Sequence, residues 1–274
     1  MRWNFLGVAL LIGLLFPPAP ARAGDPDLRV SARAANGVLA AAWPSIVNKD
    51  GLLVIPQGPG QDFALATLDH YILTCDPTNG DQAEGRRQMA TWINLYHALL
   101  IREILRHPGL ASPKSDPGFF TERRFKRLDG TPYSLEDLSE KNIVPVLGWR
   151  ARGILHLGSY GGPPLPAQPL DEDTLDKQID ANWRKWLGSP DHFRAMPDRI
   201  HLSPMFLWHR EEFEIDGGFR KVLPRYLPAD AGALVQRKDL RVEYLPFDWT
   251  LSAAGNPPHT YTLGRMLRDR WWPW

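Results

Sequence analysis

Trp92-Ile93-Asn94-Leu95-Tyr96-His97-Ala98 opens an amphipathic run that reaches Leu105. The pattern predicts a long helix from about 85 to 106, ended by His107-Pro108-Gly109. Asn94 and His97 lie three apart, so they share a face one turn from each other. The rest of the run is apolar enough to be core. A polar pair on a buried helix has to be met by partners. The pair therefore marks either a site or a structural knot, and the other elements have to pack around it.

Outward from this helix the elements are short. Toward the N-terminus, 61–73 carries Phe63, Leu65, Leu68 and Ile72 at helical spacing. Before it, 28–47 reads as an exposed or lightly amphipathic helix or loop. A polar loop over 77–84 joins the two better helices. On the other side, Arg124-Phe125-Lys126-Arg127-Leu128 alternates like a strand, and Asp129-Gly130 is a turn signal. Ser134-Leu135-Glu136-Asp137 is an N-cap with an acid at the third helical position. Residues 153–157 read as a buried strand running into the rigid loop Gly158-Ser159-Tyr160-Gly161-Gly162-Pro163-Pro164-Leu165. Helices are expected over 173–187, 218–226 and 231–236, with a short one from Phe206 to Phe213. Strands are expected over 199–202 and 240–245. Strands and helices are scattered without βαβ alternation, which predicts an α+β fold: one domain, its helices packed on a small mixed or antiparallel sheet.

The first 23 residues have the form of a secretory leader. Arg2 precedes an apolar stretch from Phe5 to Phe16, and Ala21-Arg22-Ala23 is a cleavage pattern. The apolar stretch is short for a membrane span and is broken by Pro17, Pro18 and Pro20. The expected organisation is a signal peptide over 1–23, an N-terminal extension over 24–60 and one domain over 61–274. A periplasmic or secreted location follows, with no stable membrane span after cleavage. The net charge of +1 falls to −1 once Arg2 and Arg22 leave. That balance gives no pull toward nucleic acid. Hydrophobic residues make up 43% of the chain, with 11 tryptophans, ample for a packed core. Cys75 is the one cysteine, so no disulfide forms within the chain and stability has to come from burial.

Several groups invite a chemical reading. Ser159 sits in a glycine-rich turn, with Gly161 two residues on. Leu157 stands where a nucleophile elbow needs its first glycine. His97 or His156 is the candidate base and Asp248 the orienting acid. The bland alternative is a turn serine bonded to nearby backbone and a cap at Asp248. Arg102, Arg150 and Arg152 are candidates for a cationic pocket that holds a carboxylate or phosphate, with Arg152 the best placed. No His-x-x-x-His or Glu-x-x-His spacing supports a metal, and no cofactor is expected. Ser203 and Trp208 read as capping and packing a short helix. The tail, with Trp271, Trp272 and Trp274 among arginines, suits docking on the core or a contact with an envelope protein.

Five blocks in order resemble one family. They are the 92–98 helix, Tyr133-Ser134-Leu135-Glu136-Asp137-Leu138, the 158–165 loop, Ser203-Pro204-Met205-Phe206-Leu207-Trp208 with Glu212-Phe213, and Tyr244-Leu245-Pro246-Phe247-Asp248-Trp249-Thr250-Leu251. Together they resemble the domain of unknown function 547 family over roughly 61–251. The resemblance implies a divergent member. His97 stands in place of the family's asparagine, Arg152 in place of its histidine, His156 in place of a second asparagine, and Leu157 and Gly162 in place of its two cysteines. Thiol chemistry is therefore not expected.

The sequence supports three readings. The first is a domain that binds a small molecule or peptide in a cleft, with Asn94, Tyr96, Arg152, Tyr160 and Trp249 as candidate ligand-binding residues. The second is a divergent hydrolase or acyl transferase built on Ser159 with His97 or His156 and Asp248. The third is an envelope protein-interaction module working through the tryptophan tail.

Overall fold

The 92–98 stretch lies in the middle of a helix that is buried along almost its whole length from Met89 to Leu105. A computed structural model describes residues 32–77, 85–122, 125–126, 130 and 132–258. The leader at 1–23, the 78–84 loop, Asp129 and the tail with Trp271, Trp272 and Trp274 lie outside the described residues. Three helices come first: α1 (Ala32–Ile46), α2 (Pro59–Thr74) and α3 (Gly85–Arg106). The first is no exposed appendage. Ala35, Leu39, Ala42, Trp43 and Ile46 are buried in the same core as α2 and α3. The stripe that α2 buries is Ala64, Leu68 and Tyr71. Phe63, expected in that stripe, is 43% exposed. One polar residue ties the three helices together. Asn36 Oδ1 accepts from the Tyr71 hydroxyl at 2.8 Å and from Asn94 Nδ2 at 3.2 Å.

A small hairpin follows, with β1 (Phe125–Lys126) antiparallel to β2 (Pro132–Tyr133) and Phe125 opposite Tyr133. Helix α4 (Leu135–Leu138) starts from a full capping box. Ser134 Oγ accepts from Asp137 N at 3.0 Å, and the Asp137 carboxylate accepts from Ser134 N at 3.1 Å. The chain then winds through a π-helical turn (Ser139–Ile143), α5 (Val144–Leu147) and a 3₁₀ segment (Gly148–Gly153). The second half holds α6 (Leu175–Leu187), β3 (Phe193–Ala195), β4 (Arg199–Leu202), α7 (Met205–Trp208), α8 (Arg210–Glu214), α9 (Phe219–Val222), α10 (Ala229–Gln236) and β5 (Arg241–Tyr244). Strands β3 and β4 pair antiparallel, and β4 pairs with β5 in parallel, with Ile200 opposite Val242. The α7–α10 stretch makes the crossover that a parallel pair requires. The fold is α+β, one domain of helices around a small mixed sheet. An aromatic cluster fills this half: Trp183 stacks on Tyr226 and meets Trp149 edge-on, while Trp186 stacks on Phe206.

Residues 153–157 differ from expectation. They are buried up to His156 but pair with no strand. Side chains take the place of a neighbouring strand. Asn182 Nδ2 donates to Gly153 O at 2.8 Å, His97 Nε2 to Ile154 O at 3.0 Å, and the Tyr96 hydroxyl to His156 O at 3.0 Å. A buried extended segment needs its carbonyls satisfied, and it does not matter whether a ladder or side chains supply the donors. The loop after it is locked against the chain's late segment. Tyr160 N donates to Thr250 O at 3.1 Å, Gly161 N to Asp248 O at 2.7 Å, and Ser252 N to Gly158 O at 3.1 Å. Gly158 turns here with φ of 68°, and a Cβ on it would lie 2.9 Å from Pro113. Only glycine fits that turn.

Candidate functional site

The polar pair of α3 forms a sealed clamp. Asn94 is fully buried, and its amide closes on one residue of the 167–171 stretch. Oδ1 accepts from Leu170 N at 2.7 Å and Nδ2 donates to Leu170 O at 2.9 Å. His97 is equally buried. Burial lowers its pKa to about 3, with a further push from His156. It is therefore neutral, and its bond to the Ile154 carbonyl puts the proton on Nε2. That leaves Nδ1 without a hydrogen-bond partner. His156 is held the same way. Its Nδ1 donates to Pro163 O at 2.6 Å, and burial lowers its pKa to about 4.

The serine–histidine pairing expected from the sequence does not form. Ser159 is fully buried and its Oγ has no hydrogen-bond partner, so neither His97 nor His156 is within reach of its proton. The reason is backbone geometry. Ser159 forms a bridge with Leu251, and both imidazoles are turned toward carbonyls. Asp248 acts as a turn residue, its Oδ1 accepting from Thr250 N at 2.9 Å. Tyr160 also serves the backbone, its hydroxyl donating to the carbonyls of Ala253 and Asn256. Cys75 is buried at the end of α2.

On the other side of Tyr96 the chain opens into a cleft of about 360 Å³. Tyr96, Phe120, Trp208 and Trp249 supply aromatic surface, and Leu135, Leu155, Leu157 and Met205 supply aliphatic surface. Trp208 lies parallel to Trp249 with ring centroids 6.4 Å apart, and Phe247 packs against both. Trp208 packs at the end of its short helix, as expected, and also forms a wall of this cleft. Of the five candidate ligand-binding residues, the structure brings together Tyr96, Arg152 and Trp249 here. Asn94 and Tyr160 are spent on the clamp and the loop.

Arg152 forms part of the cleft with its charge already answered. Its Nε and Nη2 donate to Glu212 at 2.9 and 2.6 Å, while Nη1 and Nη2 donate to Glu140 at 2.9 and 3.0 Å. Two forks of this kind are the strong form of the arginine–carboxylate contact. Three turns converge to make it. Glu140 comes from the π-helical turn, Arg152 from the 3₁₀ segment and Glu212 from α8. Burial opposes ionisation of Glu212, but hydrogen bonds from His209 and Arg152 and the nearby positive charge outweigh it and lower its pKa to about 2. Glu212 also faces His209 Nδ1 at 3.2 Å, and Ser139 Oγ donates to Glu140 at 3.1 Å. The expected anion pocket is therefore not what the arginines build. Arg150 pairs with Asp176 and Asp180, and Arg102 with Asp69 and Glu103. Glu140, Glu212 and His209 are the site residues that sequence reasoning missed. Glu212 did stand in one of the quoted blocks, but nothing in it marked the side chain as facing a cavity.

Among the described residues, no group of three or more histidine, cysteine, aspartate or glutamate side chains is placed to hold a metal ion. No helix among them is long and apolar enough to cross a membrane. Comparison with protein-family models, with curated proteins and with solved structures finds no match for this chain.

Proposed function

We propose that this protein binds a small organic molecule, or a side chain of a peptide, in the cleft walled by Tyr96, Trp208 and Trp249. One observation carries the reading: a concave, aromatic-lined cavity with a few fixed polar groups on it. The Arg152–Glu140–Glu212 cluster supplies rigid polar groups that need no rearrangement when a ligand arrives. Nucleophilic catalysis has no comparable support. No cysteine lines the cleft, and its one serine hydroxyl, that of Ser139, donates to Glu140 and to the Glu136 carbonyl. Leu157 and Arg152, which stand where the family resemblance has a cysteine and a histidine, both line the cavity. This favours a binding protein that keeps the position of a site without its thiol. The leader pattern over 1–23 supports export to a periplasmic or secreted location.

The test is a thermal-shift screen of an organic fragment collection on the chain beginning at Gly24, repeated on Trp208→Ala. A cleft ligand raises the melting temperature of the parent chain, because it binds only the folded state. The shift disappears in the variant. Ligands that stabilise both proteins equally sit elsewhere, and a collection in which every hit behaves so defeats the reading. Export is tested by N-terminal sequencing of the protein recovered from cells, which is expected to begin at Gly24.

A further inference from the structure

The chemistry of the cleft goes beyond the statement that something binds there. Its lining holds three carboxylates, those of Glu136, Glu140 and Glu212, against one guanidinium, that of Arg152. Lys114, whose ammonium lies over the Trp249 ring at the edge of the cleft, reduces this surplus to one negative charge with His209 neutral. Arg152 does not offset this for an incoming anion. Four of its five N–H groups are committed to Glu140 and Glu212. An anionic ligand would have to displace one of those carboxylates or lie desolvated beside it, and both are strongly unfavourable. A cation meets the opposite field. Glu140 lines the cleft with a side chain that is 43% exposed, while both of its carboxylate oxygens accept from Arg152.

The walls point the same way. The faces of aromatic rings carry negative electrostatic potential and attract cations, tryptophan most strongly. Trp208 and Trp249 stand parallel at the cleft, and Tyr96 and Phe120 complete the aromatic surface. The molecule already uses this property at the edge of the site. The Lys114 ammonium lies 5.9 Å from the centroid of the Trp249 ring. Leu135, Leu155, Leu157 and Met205 add aliphatic surface, which suits a ligand with an apolar body rather than a bare inorganic ion.

Building on the binding reading above, we propose that the cleft selects an organic cation, an ammonium or guanidinium group on an apolar body. The body lies among the leucines and rings, and the charged head lies between the tryptophan faces and the Glu140 carboxylate. A free amine and the lysine side chain of a peptide present the same chemistry.

The test uses three probes of one shape, 2-phenylethylammonium, 2-phenylethanol and phenylacetate, with affinity measured by calorimetry or tryptophan fluorescence at low and at physiological salt. The expected result is that the ammonium binds about tenfold or more tighter than the alcohol, that phenylacetate binds weakest, and that the preference shrinks as salt rises. In Glu140→Gln the preference for the ammonium over the alcohol collapses. Glu136→Gln is the second variant and is expected to lower the preference by a smaller factor. Its side chain is exposed, so the fold does not depend on it. Nα-acetyl-lysine methylamide separates the two sources. Affinity matching the ammonium puts the cation on a peptide, and absent binding beside a bound ammonium puts it on a free amine. If alcohol or phenylacetate binds as tightly as the ammonium, or if Glu140→Gln leaves the preference intact, the charge selection is overturned while the cleft stands as a binding site. If none of the probes binds the parent chain, the charge selection is overturned, and the binding reading is decided by the fragment screen.

Discussion

Tyr96 has two different environments, and the contrast between them explains the molecule. Behind it lies the clamp, where Asn94, His97 and His156 are buried and aimed at main-chain atoms of Leu170, Ile154 and Pro163. In front of it lies the cleft, where Glu140, Glu212, Arg152 and His209 bond one another and still border open space. Both are polar groups set into apolar surroundings. In the clamp they complete the hydrogen bonding of a chain segment that has no strand beside it, and Asn94 is used up there. In the cleft the groups are fixed by each other, and valence remains for something else. A buried polar residue is thus informative about function only when its partners leave a lone pair or a charge facing a cavity.

The sharpest way to break the comparison is to remove the clamp. Asn94→Leu leaves both the N–H and the C=O of Leu170 buried and unpaired, each worth about 1–3 kcal/mol. The expected loss of unfolding free energy is about 4 kcal/mol, measured by urea denaturation. Cleft binding by the protein that remains folded is expected to be unchanged. A loss under about 1 kcal/mol would mean that the clamp holds nothing.

Arg152→Met attacks the other side. It strips the shared counter-ion from Glu140 and Glu212, and breaking a buried pair in this way costs about 3 kcal/mol or more. The exposure of Glu140 keeps the figure at the low end. Adding Glu212→Gln is expected to recover a large part of the loss, because the carboxylate left without a partner is gone. A double-mutant cycle reads that recovery directly. Unlike Asn94→Leu, this variant is expected to change ligand affinity in the folded protein, and that split is what separates a site from a scaffold.

How much of this contrast was legible beforehand depends on the range of the signal. The boundaries of α3, the capping box at Ser134 and the mixed-sheet strands β4 and β5 were readable, because each is written in local periodicity or in a residue pair three apart. The 153–157 segment was not. A buried run pairing with a strand and one pairing with side chains have the same composition, and the difference lies at Asn182 and His97, which are far away in sequence. Burial of α1 was written locally, in the helical spacing of Ala35, Leu39, Ala42, Trp43 and Ile46, and reading 28–47 as exposed or lightly amphipathic missed it because two of these five are alanines. In the cleft, Arg152, Tyr96 and Trp249 stood out as polar or aromatic residues beside apolar runs. Glu140 and Glu212 sit on short turns 12 and 60 residues from Arg152, where a glutamate looks like any surface charge.

Acid separates the two regions without mutation. Folding holds His97 near pKa 3 and His156 near 4, and also lowers His192 to about 4, mainly through burial. Unfolding returns each to about 6.5. Between pH 6.5 and 4 the unfolded chain therefore binds more protons than the folded one, and stability falls as pH falls. The slope reaches about 1.4 kcal/mol per pH unit for each histidine. The cleft contributes later. Glu212, lowered from 4.5 to about 2, loses its stabilising share only as pH drops below its unfolded value. Urea midpoints measured at half-unit steps are expected to fall first through the histidine window, before Glu212 begins to protonate. A flat profile from pH 6.5 to 4.5 would show that the imidazoles are not held neutral by burial.

The smallest expected effect has the opposite sign. Ser159 Oγ is fully buried and has no hydrogen-bond partner, so the hydroxyl carries a desolvation cost with no bond to offset it. Its backbone, by contrast, is engaged, with Ser159 bridged to Leu251 and its carbonyl accepting from Gly162 N at 3.3 Å. Ser159→Ala removes the cost and keeps the bridge. The variant is expected to be more stable than the parent by about 1 kcal/mol, with cleft affinities unchanged. A nucleophile would give a different pattern, in which stability hardly moves and turnover of an ester or amide probe disappears. If Ser159→Ala proved clearly destabilising, the hydroxyl would have to be bonded within the clamp. The sealed scaffold would then include the Ser159 hydroxyl as one of its bonded groups.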